Sequence, residues 1–435
     1  MRGTELWERA KRLIPGGSQL LSKRAEMFLP GGWPSYYENA KGVEVWDLEG
    51  NRFVDMSIMG VGSCVLGYAD DDVNGAVVKA VEAGSMCTLN CPEEVELAEV
   101  LLELHPWAGM VRYARTGGEA MAVAVRIARA ASGKDKVAFC GYHGWHDWYL
   151  SANLADDRSL DGHLLPGLKP LGVPRGLAGT AFPFRYNRAE ELERLVSEHE
   201  IGVIVLEPVR HREPEGGFLE KVKEVAERVG AVLVVDEITT GFRAAVGGAH
   251  MLYGVEPDIV VYAKAMSNGF PMAAVVGRRE VMDVAQDSFI SSTYWTERIG
   301  PTAALATIRK LIREDVPSQL AEVGRRILQG WERSAQRHGL KVKLFGAVPS
   351  LPEFQFDYGE EGQALHTLFT QEMLERGFLA SRRVYVSYSH GEEHIEAYLE
   401  AVDEVFGLLK EAVETGTVHE RLKGPVAHTG FRRLT

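Results

Sequence analysis

Two chemically reactive side chains follow apolar runs in the middle of the sequence. Asp236 and Glu237 end the run AVLVVDE at residues 231–237, and Lys264 ends the run DIVVYAK at residues 258–264. Such runs are typical of strands that are buried on both faces of a sheet. Ligands bind at the edge where parallel strands end. We therefore expect a carboxylate and an amine at successive strand ends.

A lysine at the end of a buried strand either extends its amine to solvent or acts as a partly desolvated nucleophile towards an aldehyde. In the second case the pair fits pyridoxal phosphate. Lys264 would form an imine, and Asp236 would keep the pyridine nitrogen protonated so that the ring accepts electrons. Two alternatives for the acidic pair are the capping of the next turn and the Walker B strand of an NTPase. The latter needs a GxxxxGK[ST] loop, which the sequence lacks.

Two further segments fit a phosphorylated aromatic ring. RYARTGGEAMAVAVRIA at residues 112–128 predicts a strand, a Thr-Gly-Gly turn and a helix, whose free backbone N–H groups would bind a phosphate. GYHGWHDW at residues 141–148 predicts an aromatic cluster directly after a strand. His143 and His146 have no third ligand at a suitable spacing, so we expect no metal site. Tyr142 is the candidate for a ring that stacks on the cofactor.

The elements that must position these residues alternate along the chain. Between residues 60 and 315, short β-branched runs alternate with helical patterns, which indicates a mostly parallel sheet between helices. An α/β barrel gives the same periodicity and stays open as an alternative. Residues 1–59 contain an alternating stretch, and residues 316–435 contain long amphipathic helices. We predict a large α/β domain from residues 60–315 and a smaller α+β domain from both chain ends, with HERLKGPVAHTGFRRLT as a surface arm.

Composition argues against several functional classes. The chain has 435 residues, which exceeds a single core, and 46% of them are hydrophobic and 25% charged, as in ordinary globular proteins. A formal net charge of −13 without a basic patch argues against nucleic-acid binding. No apolar run approaches the ~18 residues of a membrane span, and the first residues predict an amphipathic helix instead of a signal peptide. With four cysteines and no CxxC pair, these features predict a cytoplasmic protein.

Five motifs, in this order and spacing, resemble the class III aminotransferases among the fold-type I pyridoxal-phosphate enzymes: TGGEA, YHGW, LEP, VVDEITTGFR and AKAMSNGFPMAAVVG. The stretches ELWERAKRLIPGG and AKGVEVWDLEGNRFVDM look most like the glutamate-1-semialdehyde aminomutase branch. The resemblance extends over about residues 5 to 410. It implies transfer of an amino group from an amine or amino-acid donor to a keto or aldehyde acceptor by a ping-pong mechanism. It also implies a homodimer with shared active sites.

The resemblance implies roles for individual residues as well. Lys264 would hold pyridoxal 5′-phosphate as a Schiff base and carry the proton, and Asp236 would pair with the pyridinium nitrogen. The remaining cofactor contacts would come from the phosphate loop, from both sides of the ring and from a hydroxyl of the neighbouring subunit: Gly117, Gly118, Tyr142, Glu207, Ile238 and Thr293.

Departures from the family pattern affect the substrate side. After the Leu-Glu-Pro motif the chain has VRHRE, so that Arg212 is a candidate for binding a substrate carboxylate. Arg24 is a second candidate, because aminomutases use an arginine in that segment. Before their last helices the aminomutases carry a Pro-Ser…Phe-Glu-Ala segment, where this chain has LASRRVYVSYSHGEEH at residues 379–394 and so lacks the glutamate of that motif. We therefore expect an intermolecular aminotransferase. An aminomutase or epimerase-like enzyme, a decarboxylase and a non-catalytic member of the fold are the alternatives.

Overall fold

A computed structural model describes residues 2–431 and residue 434 of the chain. The chain divides into two compact units. One unit is Asp71–Pro317, and the other combines Met1–Asp70 with Ser318–Thr435. For comparison, the bounds predicted from the sequence put the breaks after residues 59 and 315.

Strands and helices are numbered in chain order. The strands are β1 (Tyr37–Lys41), β2 (Glu44–Asp47), β3 (Arg52–Met56), β4 (Met110–Ala114), β5 (Lys136–Cys140), β6 (Ala181–Pro183), β7 (Ile201–Leu206), β8 (Val232–Asp236), β9 (Ile259–Tyr262), β10 (Ala273–Gly277), β11 (Val342–Phe345), β12 (Glu353–Phe356) and β13 (Phe378–Ala380). The α-helices are α1 (Arg2–Leu13), α2 (Asp71–Glu82), α3 (Glu93–Leu104), α4 (Gly117–Ser132), α5 (Asp147–Leu150), α6 (Ala152–Ala155), α7 (Ala189–Glu198), α8 (Phe218–Val229), α9 (Ala249–Leu252), α10 (Arg279–Met282), α11 (Ile299–Arg313), α12 (Val316–His338), α13 (Gly362–Glu375), α14 (Glu392–Thr415) and α15 (Val418–Arg421). Short 3₁₀ turns comprise Leu21–Lys23, Ala25–Met27, Arg175–Leu177, Lys264–Ser267, Asp283–Gln286, Thr293–Thr296 and Gly359–Glu361.

The sheet of the unit Asp71–Pro317 has the strand order β4-β10-β9-β8-β7-β5-β6. Parallel pairs join β6, β5, β7, β8 and β9. Strand β10 runs antiparallel to both of its neighbours, β4 and β9. The sheet is therefore open and mostly parallel, with β4 and β6 at its edges, and the barrel alternative is excluded.

The four central strands of this sheet, β7 to β10, are buried at every residue. Alternate residues of all four share one apolar cluster with α4: Val203, Val205, Val232, Val234, Ile259, Val261, Ala273 and Val275. Side chains of a strand alternate between the two faces of a sheet, so the buried residues between them belong to the opposite face. Both faces are thus covered, which explains why these runs are continuously apolar in the sequence.

The second unit has a four-stranded sheet and a separate hairpin. The sheet has the order β1-β2-β3-β13, in which β13 pairs with β3 in parallel and the other pairs are antiparallel. Strands β11 and β12 form an antiparallel pair. Aromatic rings pack edge to face in the core of this unit: Trp331, Phe354, Phe356, Phe369 and Phe406.

The C-terminal segment that composition predicted to be a surface arm is anchored to this unit. Ala427 N donates to Thr367 Oγ1 over 3.0 Å, and Lys423 N donates to Gln371 Oε1 over 2.8 Å, both on α13. Residues 432, 433 and 435 of the predicted arm lie outside the described residues. Over the described residues, no helix has both the length and the apolar character needed to cross a membrane.

Candidate active site

The carboxyl ends of β4, β5, β7, β8 and β9 lie at one edge of the sheet, because these strands share one direction. Asp236 is the last residue of β8, and it pairs in register with Val261 of β9. Lys264 follows the end of β9 by two residues. The structure thus brings the two residues that the sequence singled out to the same edge of adjacent strands.

The carboxylate of Asp236 is buried, with 3% of the residue exposed, and is held by donors on both oxygens. Its Oδ2 lies 2.8 Å from Nδ1 of His143, and its Oδ1 accepts a hydrogen bond from Ile238 N over 3.0 Å. The buried imidazole of His143 has its Nε2 3.2 Å from the carbonyl oxygen of Cys140. The orientation of the carboxylate is therefore fixed by the loop after β8 and by a residue of the loop after β5.

Lys264 begins the 3₁₀ turn Lys264–Ser267 in the left-handed region, with φ at 48°. A lysine seldom adopts this conformation, and such strain is concentrated at functional sites. Its Nζ donates to Thr239 Oγ1 over 2.9 Å. Because Thr239 lies three residues after Asp236, one loop orients both the carboxylate and the amine.

The turn between β4 and α4 leads into the N-terminus of α4. Thr116 caps α4: its Oγ1 accepts from Glu119 N over 3.5 Å, and Glu119 Oε2 accepts from Thr116 N over 3.0 Å. A Cβ at Gly117 would lie 2.9 Å from the Ile238 side chain, and one at Gly118 would lie 3.2 Å from the His146 ring. A larger residue at either position would require these neighbouring side chains to move. Helix N-termini bind phosphate through backbone N–H groups.

Tyr142 follows β5 at the same edge. Its backbone N donates to Glu207 Oε2 over 3.0 Å, and 40% of the residue is exposed. Partial burial raises the pKa of the Tyr142 phenol, and the negative charges of Asp236 and Glu207 raise it further. The phenol is therefore neutral at physiological pH, and the ring is accessible at the site.

Glu237, the second acid of the pair, has a different environment. It is fully buried, and its Oε1 accepts from His250 N and lies 2.7 Å from His250 Nδ1, while Oε2 accepts from Thr240 Oγ1 over 2.5 Å. Burial alone would raise the pKa of Glu237, but the hydrogen bonds and charge of His250, with Thr240, lower it below its ordinary value. Glu237 thus anchors the loop that follows β8.

The model of the family "Aminotransferase class-III" matches residues 31–405. This chain belongs to the class III aminotransferase family. A 3-aminobutyryl-CoA aminotransferase from Cloacimonas acidaminovorans is 31% identical over 94% of this chain and 97% of its own. A 2′-deamino-2′-hydroxyneamine transaminase from Streptomyces kanamyceticus is 34% identical over 77% of this chain and 81% of its own. A glutamate-1-semialdehyde 2,1-aminomutase from Methanothrix thermoacetophila is 33% identical over 91% and 94%.

Solved structures share the fold of this class III aminotransferase. An omega-transaminase from Sphaerobacter thermophilus superimposes with a TM-score of 0.83 at 23% identity, covering 94% of this chain and 98% of that one. A glutamate-1-semialdehyde aminomutase from Pseudomonas aeruginosa gives 0.80 at 18% identity, covering 94% of each. The predicted fold type, family and aminotransferase function are confirmed, and the cofactor of the enzyme is pyridoxal 5′-phosphate.

The residues at the sheet edge fit this cofactor. A buried carboxylate matches a pyridinium nitrogen, an amine in reach of the same loop matches an aldehyde, and the glycine-lined helix N-terminus matches a phosphate. Among the described residues, no group of three or more His, Cys, Asp or Glu side chains is placed so that it could hold a metal ion.

The other predicted residues lie in different surroundings. Arg212 is exposed in the loop after β7, and Thr293 is exposed at the start of the turn Thr293–Thr296. Arg24 belongs to the second unit, where its guanidinium packs against Gly16. Ile238 is half-buried beside Gly117.

Sequence reasoning missed Thr239, which contacts Lys264, and two residues in the loops after β5 and β7. His143 was considered only as a metal ligand, yet it contacts Asp236. In the VRHRE segment, Arg210 and not Arg212 lies beside Glu207, with Nε 3.4 Å from Glu207 Oε2 and Nη1 donating to the carbonyl oxygen of His163 over 3.0 Å. His143 and Arg210 both lie in loops that follow strands, and this position was the signal that the sequence offered. Their contact partners could not be predicted, because they depend on the strand order.

Proposed function

We propose that this aminotransferase works by a ping-pong mechanism in which Lys264 holds the cofactor covalently and then moves the proton, while Asp236 pairs with the pyridine nitrogen. The observation that carries the proposal is a buried carboxylate and a loop-bound amine at the ends of two adjacent parallel strands. When bound, the cofactor supplies the electron sink for the transfer. All other steps depend on side chains of the chain itself.

Each group in the site has a distinct task in this proposal. Thr239 holds the amine of Lys264 in place. As acid and base, that amine would move the proton between the donor carbon and the cofactor carbon. The N–H groups of Gly117 and Gly118 bind the phosphate. Tyr142 covers one face of the ring and Ile238 the other.

Glu207 supports the ring contact from behind. Its carboxylate accepts from Tyr142 N and packs closely against Gly141, where a Cβ would lie 2.5 Å from Oε2. Its proposed role towards the cofactor is therefore to fix the backbone that carries Tyr142.

We also propose a homodimer in which Thr293 reaches the phosphate of the partner subunit. The surface formed by segments 85–91 and 293–298 has exposed apolar side chains, which supports contact with a second copy of this chain. Arg298 N donates to the carbonyl oxygen of Ser85 over 2.9 Å, which joins the segments 85–91 and 293–298. Met86, Leu89 and Tyr294 of these segments are exposed. Exposed apolar clusters of this kind are typical of self-association surfaces.

For the substrate, we propose a donor that carries an anionic group, bound by Arg212 or Arg24. The planar fork of an arginine matches a carboxylate or phosphate bidentately. One relative is named for 3-aminobutyryl-CoA and another for an aminomutase reaction. Intermolecular transfer is favoured for this chain because its segment 379–394 lacks the aminomutase glutamate.

A cytoplasmic location, without nucleic-acid or membrane partners, completes the proposal. The described cysteines Cys64, Cys87, Cys91 and Cys140 are all free thiols, as is usual in a reducing compartment.

Borohydride reduction of the yellow holoenzyme, followed by peptide mapping, tests the proposal. We expect the pyridoxyl label on the peptide that contains Lys264, and no label in Lys264→Ala. A donor alone should convert the wild-type cofactor to its amine form, and an acceptor should reverse the conversion. A label on another lysine would refute the role of Lys264, and a requirement for both substrates before any conversion would refute the ping-pong order.

A further inference from the structure

Arg115, the residue before the phosphate-binding turn, makes five side-chain contacts within its own chain. Its Nε donates to Glu297 Oε1 over 2.7 Å, and its Nη2 donates to the carbonyl oxygens of Trp295 and Glu297 over 3.0 and 2.8 Å. Its Nη1 contacts the carbonyl oxygen of Ala114 at 3.1 Å and Sδ of Met272 at 3.3 Å. These contacts match the five N–H groups of a guanidinium, and only 9% of the side chain is exposed.

The carboxylate of Glu297 continues this connection to helix α11. Its Oε2 accepts from Ile299 N over 2.6 Å and its Oε1 accepts from Gly300 N over 2.8 Å, so that it caps the helix. A Cβ at Gly300 would lie 2.7 Å from Glu297 Oε1, which shows how closely the groups pack. Through Glu297, Arg115 therefore connects the N-terminal ends of α4 and α11.

The turn Thr293–Thr296 lies directly before this connection. Arg115 holds the carbonyl groups of Trp295 and Glu297, and Thr296 Oγ1 donates to the carbonyl oxygen of Thr293 over 2.9 Å. The side chains of Thr293 and Tyr294 remain exposed. The backbone behind an exposed hydroxyl is thus fixed by a buried guanidinium.

We propose that Arg115 is a positioning residue that sets the orientation in which Thr293 is presented to the phosphate site of the partner subunit. The inference rests on the proposed homodimer with Thr293 in the partner's site. Without the guanidinium, the exposed turn would have to be ordered when the cofactor binds, and that entropy cost would weaken the binding. Arg115 acts on the active site of the partner subunit, although it lies next to the phosphate loop of its own subunit.

Cofactor affinity of the apoenzyme is the first measurement. Arg115→Gln, Glu297→Gln and Thr293→Ala homodimers should each raise the dissociation constant of pyridoxal phosphate about tenfold, equivalent to ~1.4 kcal/mol. Combining Arg115→Gln with Thr293→Ala should add little, because both changes remove the same contact. The matched control is Arg313→Gln on the same helix α11, which removes an exposed ion pair with Asp72 of α2 and should bind as wild type. Arg115→Lys replaces Arg115→Gln if the latter does not fold.

A hybrid dimer decides between an effect on the neighbouring site and a local effect. One subunit carries Arg115→Gln and the other Thr293→Ala, and the hybrid is isolated with two different tags. The proposal expects no site of wild-type affinity, because one site lacks the Thr293 hydroxyl and the other receives a misplaced one. One wild-type site per dimer would show that Arg115 acts only on its own phosphate loop, and would overturn the inference. Wild-type affinity of the Thr293→Ala homodimer would instead overturn the proposed dimer role of Thr293.

Discussion

Replacement of Asp236 by asparagine tests the centre of the proposed site. Asparagine keeps the size of the side chain but removes the charge that would hold a proton on the pyridine nitrogen. In the structure, both carboxylate oxygens already accept a hydrogen bond, from Ile238 N and from the His143 ring, and only 3% of the residue is exposed. In the proposed site, the contact of Asp236 with the pyridine nitrogen would therefore be a buried, charge-assisted hydrogen bond.

The expected size of the effect follows from this burial. A hydrogen bond to a charged group contributes about 1.5–3 kcal/mol, and every 1.4 kcal/mol changes a dissociation constant tenfold. Asp236→Asn should therefore raise the cofactor dissociation constant by about 10- to 150-fold. The loss of ring protonation should slow proton removal from the donor further, because the ring becomes a weaker electron acceptor.

Two assays measure this effect without relying on turnover. Fluorescence titration of the apoenzyme gives the dissociation constant, and the ¹⁵N chemical shift of a labelled cofactor reports whether its ring nitrogen is protonated. Glu193→Gln is the matched control, since that exposed carboxylate only forms a surface ion pair with Arg228. A dissociation constant within twofold of wild type in Asp236→Asn, or an unprotonated ring nitrogen in the wild-type enzyme, would refute the role of Asp236.

Three further predictions concern the surroundings of the site. His143→Ala should lower the free energy of unfolding of the apoenzyme by about 1.5–3 kcal/mol in urea titrations, and no loss would mean that its ring does not support the buried carboxylate. Burial lowers the pKa of His163 to about 4 from an ordinary 6.5. Between pH 6.5 and pH 4, the unfolded chain therefore binds a proton at His163 that the folded chain does not bind. Stability is therefore lost as the pH falls from 6.5 towards 4, by ~2 kcal/mol at pH 5, and His163→Gln should remove that part of the difference between pH 5 and pH 7.5. Among Arg24→Ala, Arg210→Ala and Arg212→Ala, we expect one to raise KM only for donors with an anionic group, and equal effects on neutral amines would argue that none of the three binds the anion.

Strand positions were predictable from sequence because a strand that is buried on both faces has a continuous apolar run. The run predicted at residues 202–208 became β7, Ile201–Leu206, whose residues are all buried. The antiparallel direction of β10 was not predicted. The segment between Tyr262 and Ala273 contains only a 3₁₀ turn and is too short for the crossover of a dozen or more residues that a parallel strand needs. Strand β6, Ala181–Pro183, was missed because it is short and ends in proline.

The site was predictable only where a residue's position along its own strand decides its place. Asp236 and Lys264 end two consecutive buried runs, and the structure makes these runs neighbours. The contact between His143 and Asp236 cannot be derived this way, because β7 lies between β5 and β8 in the sheet. The same holds for Arg115 and Glu297, which are brought together only by the approach of two helix N-termini.

The acidic pair after β8 shows how one strand end can serve two purposes. From sequence, either catalysis or capping of the next turn explained the two acids. Successive side chains of a strand point in opposite directions, and Glu237 N still bonds to the carbonyl oxygen of Val261, so the strand geometry persists there. The two side chains consequently lie on opposite faces of the sheet. Asp236 contacts His143 and Ile238 N, whereas Glu237 holds the following loop through His250 and Thr240. Because that loop also carries Thr239, the structural acid supports the hydroxyl that orients the amine of Lys264.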